Sequence, residues 1–330
     1  MQEEAGTIDA FGRAIHDLRI SVTDKCNLRC PYCMPEEFYH EEYEFLPKSA
    51  LLTFEELARL ARLFARLGVS KLRITGGEPL IRKNLPDLIA MLATIDEIAD
   101  IALTTNGILL AARAKALKEA GLHRLTVSLD SLDEATFARM TGGRGSVHGV
   151  LEGIAASEEA GFAPIKINVV VQRGVNDATV MDLVKRFRGT GHILRFIEYM
   201  DVGNMNGWHP GDVVPSSEIL ARIHAEFPLE PISRGYRGEV ASRYRWCDGA
   251  GEIGFVSSVT EPFCRDCTRA RLSADGKVYT CLFATHGTDL RGPLRAGVDD
   301  DGLLCVLESM WRVRKDRYSE LRTTIRAEHS

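Results

Sequence analysis

The sequence predicts an α/β fold: a partial (β/α)6 TIM-type barrel followed by a smaller, loop-rich C-terminal region. Three observations carry this expectation. Strand-like and helix-like runs alternate about six times between Leu18 and Tyr199. Cap and stop signals bracket the helical runs. The alternation ceases after about Gly203, which divides the chain into residues 1–203 and 204–330. Consecutive β-then-α units imply parallel strands with helices outside, because right-handed crossovers curl in one direction. Six units fall short of the eight that close a barrel.

The elements follow in order. Leu18-Arg19-Ile20-Ser21-Val22 reads as the first strand. Thr53 to Leu67 has apolar residues at helical spacing, a capping Thr53 with Glu56 three residues on, and a stop at Gly68. Val69 to Thr75 is the second strand and Leu85 to Ala93 the next helix. Ile101 to Thr105 is a strand, and Leu109 to Ala120 a helix ended by Gly121. Leu125 to Leu129 is followed by a helix from Gly149 to Ala160, ended by Gly161. Ile165 to Val171, a helix over Ala178 to Phe187, and Ile193 to Tyr199 complete the series. Beyond it, one amphipathic helix spans Ser216 to Phe227. Short strands at Ile253 to Ser258 and Lys277 to Thr280 lie among segments rich in Pro, Gly and Arg.

The chain has 330 residues, 45% hydrophobic and 26% charged, and a formal net charge of -5. A mildly acidic protein is a poor general binder of nucleic acid, although a local basic pocket for a small anion stays open. No apolar run approaches the roughly 20 residues that cross a bilayer. The N-terminal stretch MQEEAGTIDAFGRAIHD is polar and lacks the apolar centre of a signal peptide, so a loose arm and a cytoplasmic location are expected.

There are eight cysteines, and six fall in two groups. Clustered cysteines without a secretory context bind metal or do chemistry more often than they pair. Cys26, Cys30 and Cys33 form CxxxCxxC just after the first strand. Three thiolates on one loop suit a [4Fe–4S] cube with one open iron; structural zinc is the alternative, but no fourth ligand is obvious nearby. Cys264, Cys267 and Cys281 form CxxC, thirteen residues, then C. Here zinc is the more serious alternative, with Cys247 as a fourth ligand. Arg269 and Arg271 follow in alternation and project to one side of an extended segment. Cys247 and Cys305 stand apart and are expected to be buried structural thiols.

Reactive chemistry in a parallel sheet sits at the carboxyl ends of its strands. The first cysteine group, GGEP (76–79), TTNG (104–107), SLDS (128–131) and EYMD (198–201) all fall there. Arg19, Arg73 and Lys166 lie within strands. They either salt-bridge to outer helices or point into the barrel and meet an anion; three inward cations on an acidic protein imply a polyanion such as a triphosphate.

The first cysteine group, with Tyr32 at the aromatic position, resembles the hallmark of the radical S-adenosylmethionine (SAM) superfamily. LRISVTDKCNLRCPYCMP, RITGGEPL, LTTNG, VSLDSL, KINVVV, RFIEYMDVG, FCRDCTRARLSADGK and RKDRYSE together resemble one family within it, the GTP 3′,8-cyclases. That resemblance implies two [4Fe–4S] clusters, one on Cys26, Cys30 and Cys33 with SAM, the other on Cys264, Cys267 and Cys281 with substrate. It implies that the C-terminal segment covers the open side of the barrel and that the chain forms a homodimer. By the same resemblance Tyr32, Gly77, Ser128 and Met200 contact SAM. Arg19, Arg73, Thr104, Lys166, Arg269, Ala270 and Arg271 match positions that contact GTP.

The implied reaction cyclises GTP to (8S)-3′,8-cyclo-7,8-dihydro-GTP, the first step of molybdenum cofactor biosynthesis, and passes the product to a cyclic pyranopterin monophosphate synthase. Members of the family commonly end in Gly-Gly, whereas this sequence ends Arg326-Ala327-Glu328-His329-Ser330. The rivals are a peptide-modifying radical SAM enzyme, which would not prefer GTP to ATP, and a zinc-binding interaction protein, which would hold no sulfide.

Overall fold

A computed structural model of the chain describes residues 7–202 and 207–322. The Gly203 boundary and the terminal residues 326–330 lie outside them. The six strands of the predicted barrel are β1 (Asp17–Ser21), β2 (Lys71–Thr75), β3 (Asp100–Thr105), β4 (Arg124–Ser128), β5 (Lys166–Val171) and β6 (Ile193–Glu198). They pair in parallel and in chain order. Between them run α1 (Phe54–Arg66), α2 (Leu85–Ala93), α3 (Ala114–Glu119), α4 (Glu134–Thr141), α5 (Val147–Glu159) and α6 (Val180–Phe187).

Local signals explain most of these bounds. α1 opens on the capping box foreseen: Thr53 Oγ1 accepts from the Glu56 amide at 3.2 Å, and Glu56 Oε2 accepts from the Thr53 amide at 2.8 Å. α3 starts later than its pattern suggests, because Leu110 and Arg113 are first held by bonds to the third residue before them, Gly107 and Leu110. α4 is an addition to the expected series. It is short and carries two β-branched threonines, and it is started by Asp133, which accepts from the Thr136 amide at 2.8 Å.

The C-terminal region holds α7 (Ser216–Glu226), β7 (Leu229–Ile232), β8 (Ser242–Trp246) and β9 (Glu252–Val256), then β10 (Arg269–Leu272), β11 (Lys277–Tyr279), β12 (Thr288–Asp289), α8 (Arg291–Arg295) and α9 (Asp300–Arg312). It is more ordered than its composition suggests. α9 is capped by Asp299 and buries Leu303, Leu304, Leu307 and Trp311. The strands of this region continue the barrel sheet at both ends, in the order β12-β11-β10-β1-β2-β3-β4-β5-β6-β9-β8-β7. β10 lies parallel to β1 and β9 parallel to β6. The parallel run from β10 to β9 has as many strands as a closed (β/α)8 barrel, yet it stays open, because β10 pairs next with β11 and β9 with β8.

Burial alternates along β1, β2, β5 and β6. Leu18, Ile20, Leu72 and Ile74 pack outward against the helices in one continuous core. The inner face of the same strands carries Arg19, Arg73 and Lys166 instead.

Two expectations need correction. The N-terminal arm is not loose where the structure describes it: Asp9, Arg13 and Ile15 are buried, and the Trp311 indole donates to the Arg13 carbonyl at 3.0 Å. Cys247 and Cys305 are exposed, not buried. Cys247 lies just past the end of β8, and Cys305 lies on α9 away from the residues that face the core.

Candidate active site

The first cysteine group occupies the loop that leaves β1. The loop is shaped from within by Arg29, a buried side chain whose Nη1 donates to the Cys26 carbonyl at 2.8 Å and whose Nε donates to the Tyr39 carbonyl at 2.8 Å. The amides of Cys33 and Met34 both donate to the Cys30 carbonyl. Neighbouring strand ends fasten the loop from outside. Asn106 Nδ2, beyond β3, donates to Asn27 Oδ1 at 2.8 Å. The Tyr32 hydroxyl donates to Asp130 Oδ2, beyond β4, at 2.7 Å.

The GGE residues after β2 press against the start of this loop. Gly77 donates from its amide to the Thr23 carbonyl at 2.8 Å, and a Cβ at Gly77 would sit 2.3 Å from the Lys25 carbonyl oxygen. Glu78 is buried and its carboxylate accepts from Thr105 Oγ1 and the Asn106 amide, both at 2.8 Å. Glu78 therefore ties the β2 and β3 loops together. Ser128 is half-buried at the last position of β4.

Burial, the Asp130 carboxylate and the other two thiols push the Cys30 thiol far above its usual range. Burial, then Cys26 and Asp130, raise Cys33 to about 11. Cys33 is reachable by solvent yet is deeply surrounded by protein. Such a trio ionises only when a strongly cationic group offsets burial and mutual repulsion, as iron does. Among the described residues no three Cys, His, Asp or Glu side chains converge tightly enough for one metal ion. Three soft thiolates carried on one loop fit an iron–sulfur cube.

The second group lies on the C-terminal side. Cys264 opens the short turn Cys264–Asp266, Cys267 precedes β10, and Cys281 follows β11. All three line a cavity of about 490 Å³ that fills the open barrel. Burial opposes ionisation of Cys267, but Arg269 and Arg314 overcome it and bring the thiol down to about 6. Arg269 Nη2 donates to its sulfur at 3.1 Å.

Cations outnumber carboxylates along the rest of that cavity. β10, β1 and β2 set Arg271, Arg19 and Arg73 side by side in register. Adjacent strands lie only about 4.8 Å apart, so the row repels itself. Burial, then Arg271, Arg269 and Arg73, drives the Arg19 guanidinium well below its usual range. Burial, then Arg195, Arg124 and Arg73, lowers Lys166 to about 7. Arg73 Nη1 is steadied by the hydroxyls of Thr104 at 3.0 Å and Thr126 at 3.1 Å. This arrangement favours an anion of several charges.

Of the residues singled out by sequence, Arg19, Arg73, Thr104, Lys166, Arg269 and Arg271 line this one cavity, as does Met200. Ala270 does not, because alternation along β10 turns its side chain into the hydrophobic core. Tyr32, Gly77, Ser128 and the first cysteines lie outside the lining, which reaches the β2 loop at Thr75. Sequence reading passed over Arg124 and Arg195, which share the cavity. Arg195 lies in β6 between buried Leu194 and Phe196, so the alternation that marks Arg19 also marks it.

The profile of the radical SAM superfamily matches residues 20–187, and that of Molybdenum Cofactor Synthesis C matches residues 192–320. The chain is 55% identical over 318 residues to a GTP 3′,8-cyclase of Acidothermus cellulolyticus, covering 95% of this chain and 88% of that one. It is 56% identical to one of Xanthomonas campestris pv. campestris, covering 96% and 92%, and 49% identical to one of Staphylococcus haemolyticus, covering 96% and 93%. In fold it is similar to Streptococcus suis SuiB bound to S-adenosylmethionine, with a TM-score of 0.62 at 16% identity over 90% of this chain and 68% of that one.

Proposed function

From the premise that this chain belongs to the GTP 3′,8-cyclases of the radical SAM superfamily, we propose the following division of labour. The protein converts GTP to (8S)-3′,8-cyclo-7,8-dihydro-GTP, the first step of molybdenum cofactor biosynthesis. Residues 1–203 carry a [4Fe–4S] cluster on Cys26, Cys30 and Cys33 together with SAM. Residues 204–330 carry a second [4Fe–4S] cluster on Cys264, Cys267 and Cys281. When bound and reduced by an external one-electron donor, the first cluster would cleave SAM to methionine and a 5′-deoxyadenosyl radical able to take hydrogen from ribose C3′; the C3′ radical would add to guanine C8, and one further electron and a proton would complete the dihydro product.

The chain's own residues make this selective. Tyr32, Gly77, Ser128 and Met200 bound the SAM side. Tyr32 is held by Asp130 and so fixes the face of the cysteine loop. Arg19, Arg73 and Lys166 take the triphosphate, and Arg269 and Arg271 hold the nucleotide near the second trio, with Ala270 giving only its backbone. Thr104 acts through Arg73, which it orients. Filling the cavity with nucleotide expels water and discharges the repulsion among the cations. The observation that carries the reading is the row Arg271, Arg19 and Arg73, which runs from beside the second trio into the barrel.

The protein works as a homodimer in the cytoplasm and hands its product to a cyclic pyranopterin monophosphate synthase. The test is anaerobic incubation with SAM, a reductant and GTP, analysed for 5′-deoxyadenosine and the cyclised nucleotide. Iron and sulfide of about eight each per chain are expected. Zinc without sulfide, or equal use of ATP, rejects the reading.

A further inference from the structure

The buried part of the N-terminal arm is spent on the second cysteine trio. Arg13 Nη1 donates to the Cys264 carbonyl at 2.6 Å and to the Asp316 carbonyl at 3.0 Å. Arg314 Nη1 donates to the Cys267 carbonyl at 2.8 Å, and its Nε to the Thr280 carbonyl, next to Cys281, at 3.1 Å. Asp9 joins the two: its Oδ2 accepts from Arg13 Nε at 2.6 Å and from Arg314 Nη1 at 3.0 Å. Its Oδ1 accepts from the amides of Phe11 and Arg13 and so shapes the arm itself. The side chains of Asp9, Arg13 and Arg314 are at most 1% exposed. Trp311 lies under Arg314, with the guanidinium 4.6 Å from its ring centroid.

Two consequences follow from this geometry. Each cysteine, or its neighbour, is gripped by its carbonyl, which fixes the peptide plane and hence the direction of the sulfur. Around Cys264 the backbone itself offers only a single short turn, so the grip comes from outside. Two guanidiniums share the buried Asp9 carboxylate, and Arg314 Nε also lies 3.3 Å from Asp316 Oδ2, so the group is balanced and removing either guanidinium leaves net negative charge beside the trio. Positive charge near a cluster stabilises its reduced, more negative form, so loss of a guanidinium disfavours reduction.

Resting on the reading that the second trio holds a cluster, we propose that Asp9, Arg13 and Arg314 are positioning residues that set the geometry and reduction potential of that cluster. The N-terminal arm is thereby part of the second centre, although it precedes the first in sequence.

The test uses the full-length protein, reconstituted without oxygen, with Arg13→Gln and Arg13→Lys beside the wild type. Iron per chain, the potentials of both clusters followed by electron paramagnetic resonance, and cyclised nucleotide formed per 5′-deoxyadenosine are measured. In Arg13→Gln the first cluster keeps its iron and potential. The second either shifts to a more negative potential or is lost, and the product ratio falls about tenfold. Arg13→Lys recovers the potential because it restores the charge. Unchanged potentials and product ratio in both variants overturn the positioning role while leaving the second cluster standing. Parallel loss of both clusters overturns it too, since that marks a general folding role. A wild type with only about four irons per chain sinks both this inference and the cluster it rests on.

Discussion

Tyr318 reaches back to Asp201: its hydroxyl donates to Asp201 Oδ2 at 2.7 Å across 117 residues of chain. The other oxygen of Asp201 accepts from Arg322 Nε at 2.9 Å, and both Asp201 and Arg322 are buried. The segment after β6, immediately beyond Met200, is thus tied to the C-terminal segment. Asp201→Ala leaves Arg322 charged and buried without this carboxylate, a loss of about 3–5 kcal/mol. Urea unfolding of the metal-free chain should show it, and an unchanged midpoint contradicts the tie.

Cys264→Ser should separate the two centres. Iron falls by about half, from roughly eight to four per chain, while SAM cleavage to 5′-deoxyadenosine continues. GTP cyclisation is abolished. Full cyclisation by that variant removes any role for a second cluster.

Arg271→Ala should weaken GTP without touching the clusters. Loss of one charge-assisted contact to a polyanion costs about 1.5–3 kcal/mol, or about 10–150-fold in affinity. Calorimetric titration reads the change, and iron content serves as the control.

Lys166 should make GTP binding pH-dependent. Burial first, then Arg195, Arg124 and Arg73, hold its ammonium at about 7 in the free protein. This folded value lies below the ordinary lysine range near 10.4, so charging Lys166 opposes folding, and stability falls as pH drops through that window towards 7. A bound triphosphate reverses the preference. Near pH 8 GTP therefore binds with uptake of a proton, and its affinity declines as pH rises from about 7.5 to 9. Titrations in two buffers of different ionisation heat measure the uptake. Lys166→Arg should flatten the profile, and an identical slope in that variant places the titrating group elsewhere.

Gly77→Ala should damage the first centre selectively. The added carbon lies 2.3 Å from the Lys25 carbonyl, a backbone atom that has to move, and Cys26 is the next residue. The expected result is loss of the first cluster and of SAM cleavage with the second cluster retained. Wild-type iron and cleavage would show that the loop gives way without cost.

Four of the barrel strands, β1, β2, β5 and β6, were legible because they alternate an apolar outer face with an inner one, and the same parity exposed Arg19, Arg73 and Lys166. What sequence hid has physical causes. β9 and β10 are short, and their partners β6 and β1 lie far away in the chain, so no local signal says that they extend the barrel. The Asp9–Arg13 pair sits in a polar stretch that reads as solvated arm, and only the distant carbonyls of Cys264 and Asp316 give it a reason to be buried. α4 is a short helix with two β-branched threonines, so its helicity owes more to its Asp133 cap and packing than to pattern. The two cysteine trios were readable as motifs, but the cation row between strands depends on register, which spacing along one strand does not reveal.

The placement of β10 beside β1 also dictates an order of events during translation. Chains are made from the N-terminus at about 5–20 residues per second, and early units fold first. Cys26, Cys30 and Cys33 with their fastening loops emerge while the edge of β1 still lacks its neighbour, a bare strand edge of the kind that invites mispairing. Arg13 waits for Cys264, 251 residues later, before its guanidinium has a carbonyl to hold. The first trio can therefore take shape on the nascent chain, whereas the second is assembled only when the two ends of the polypeptide have met.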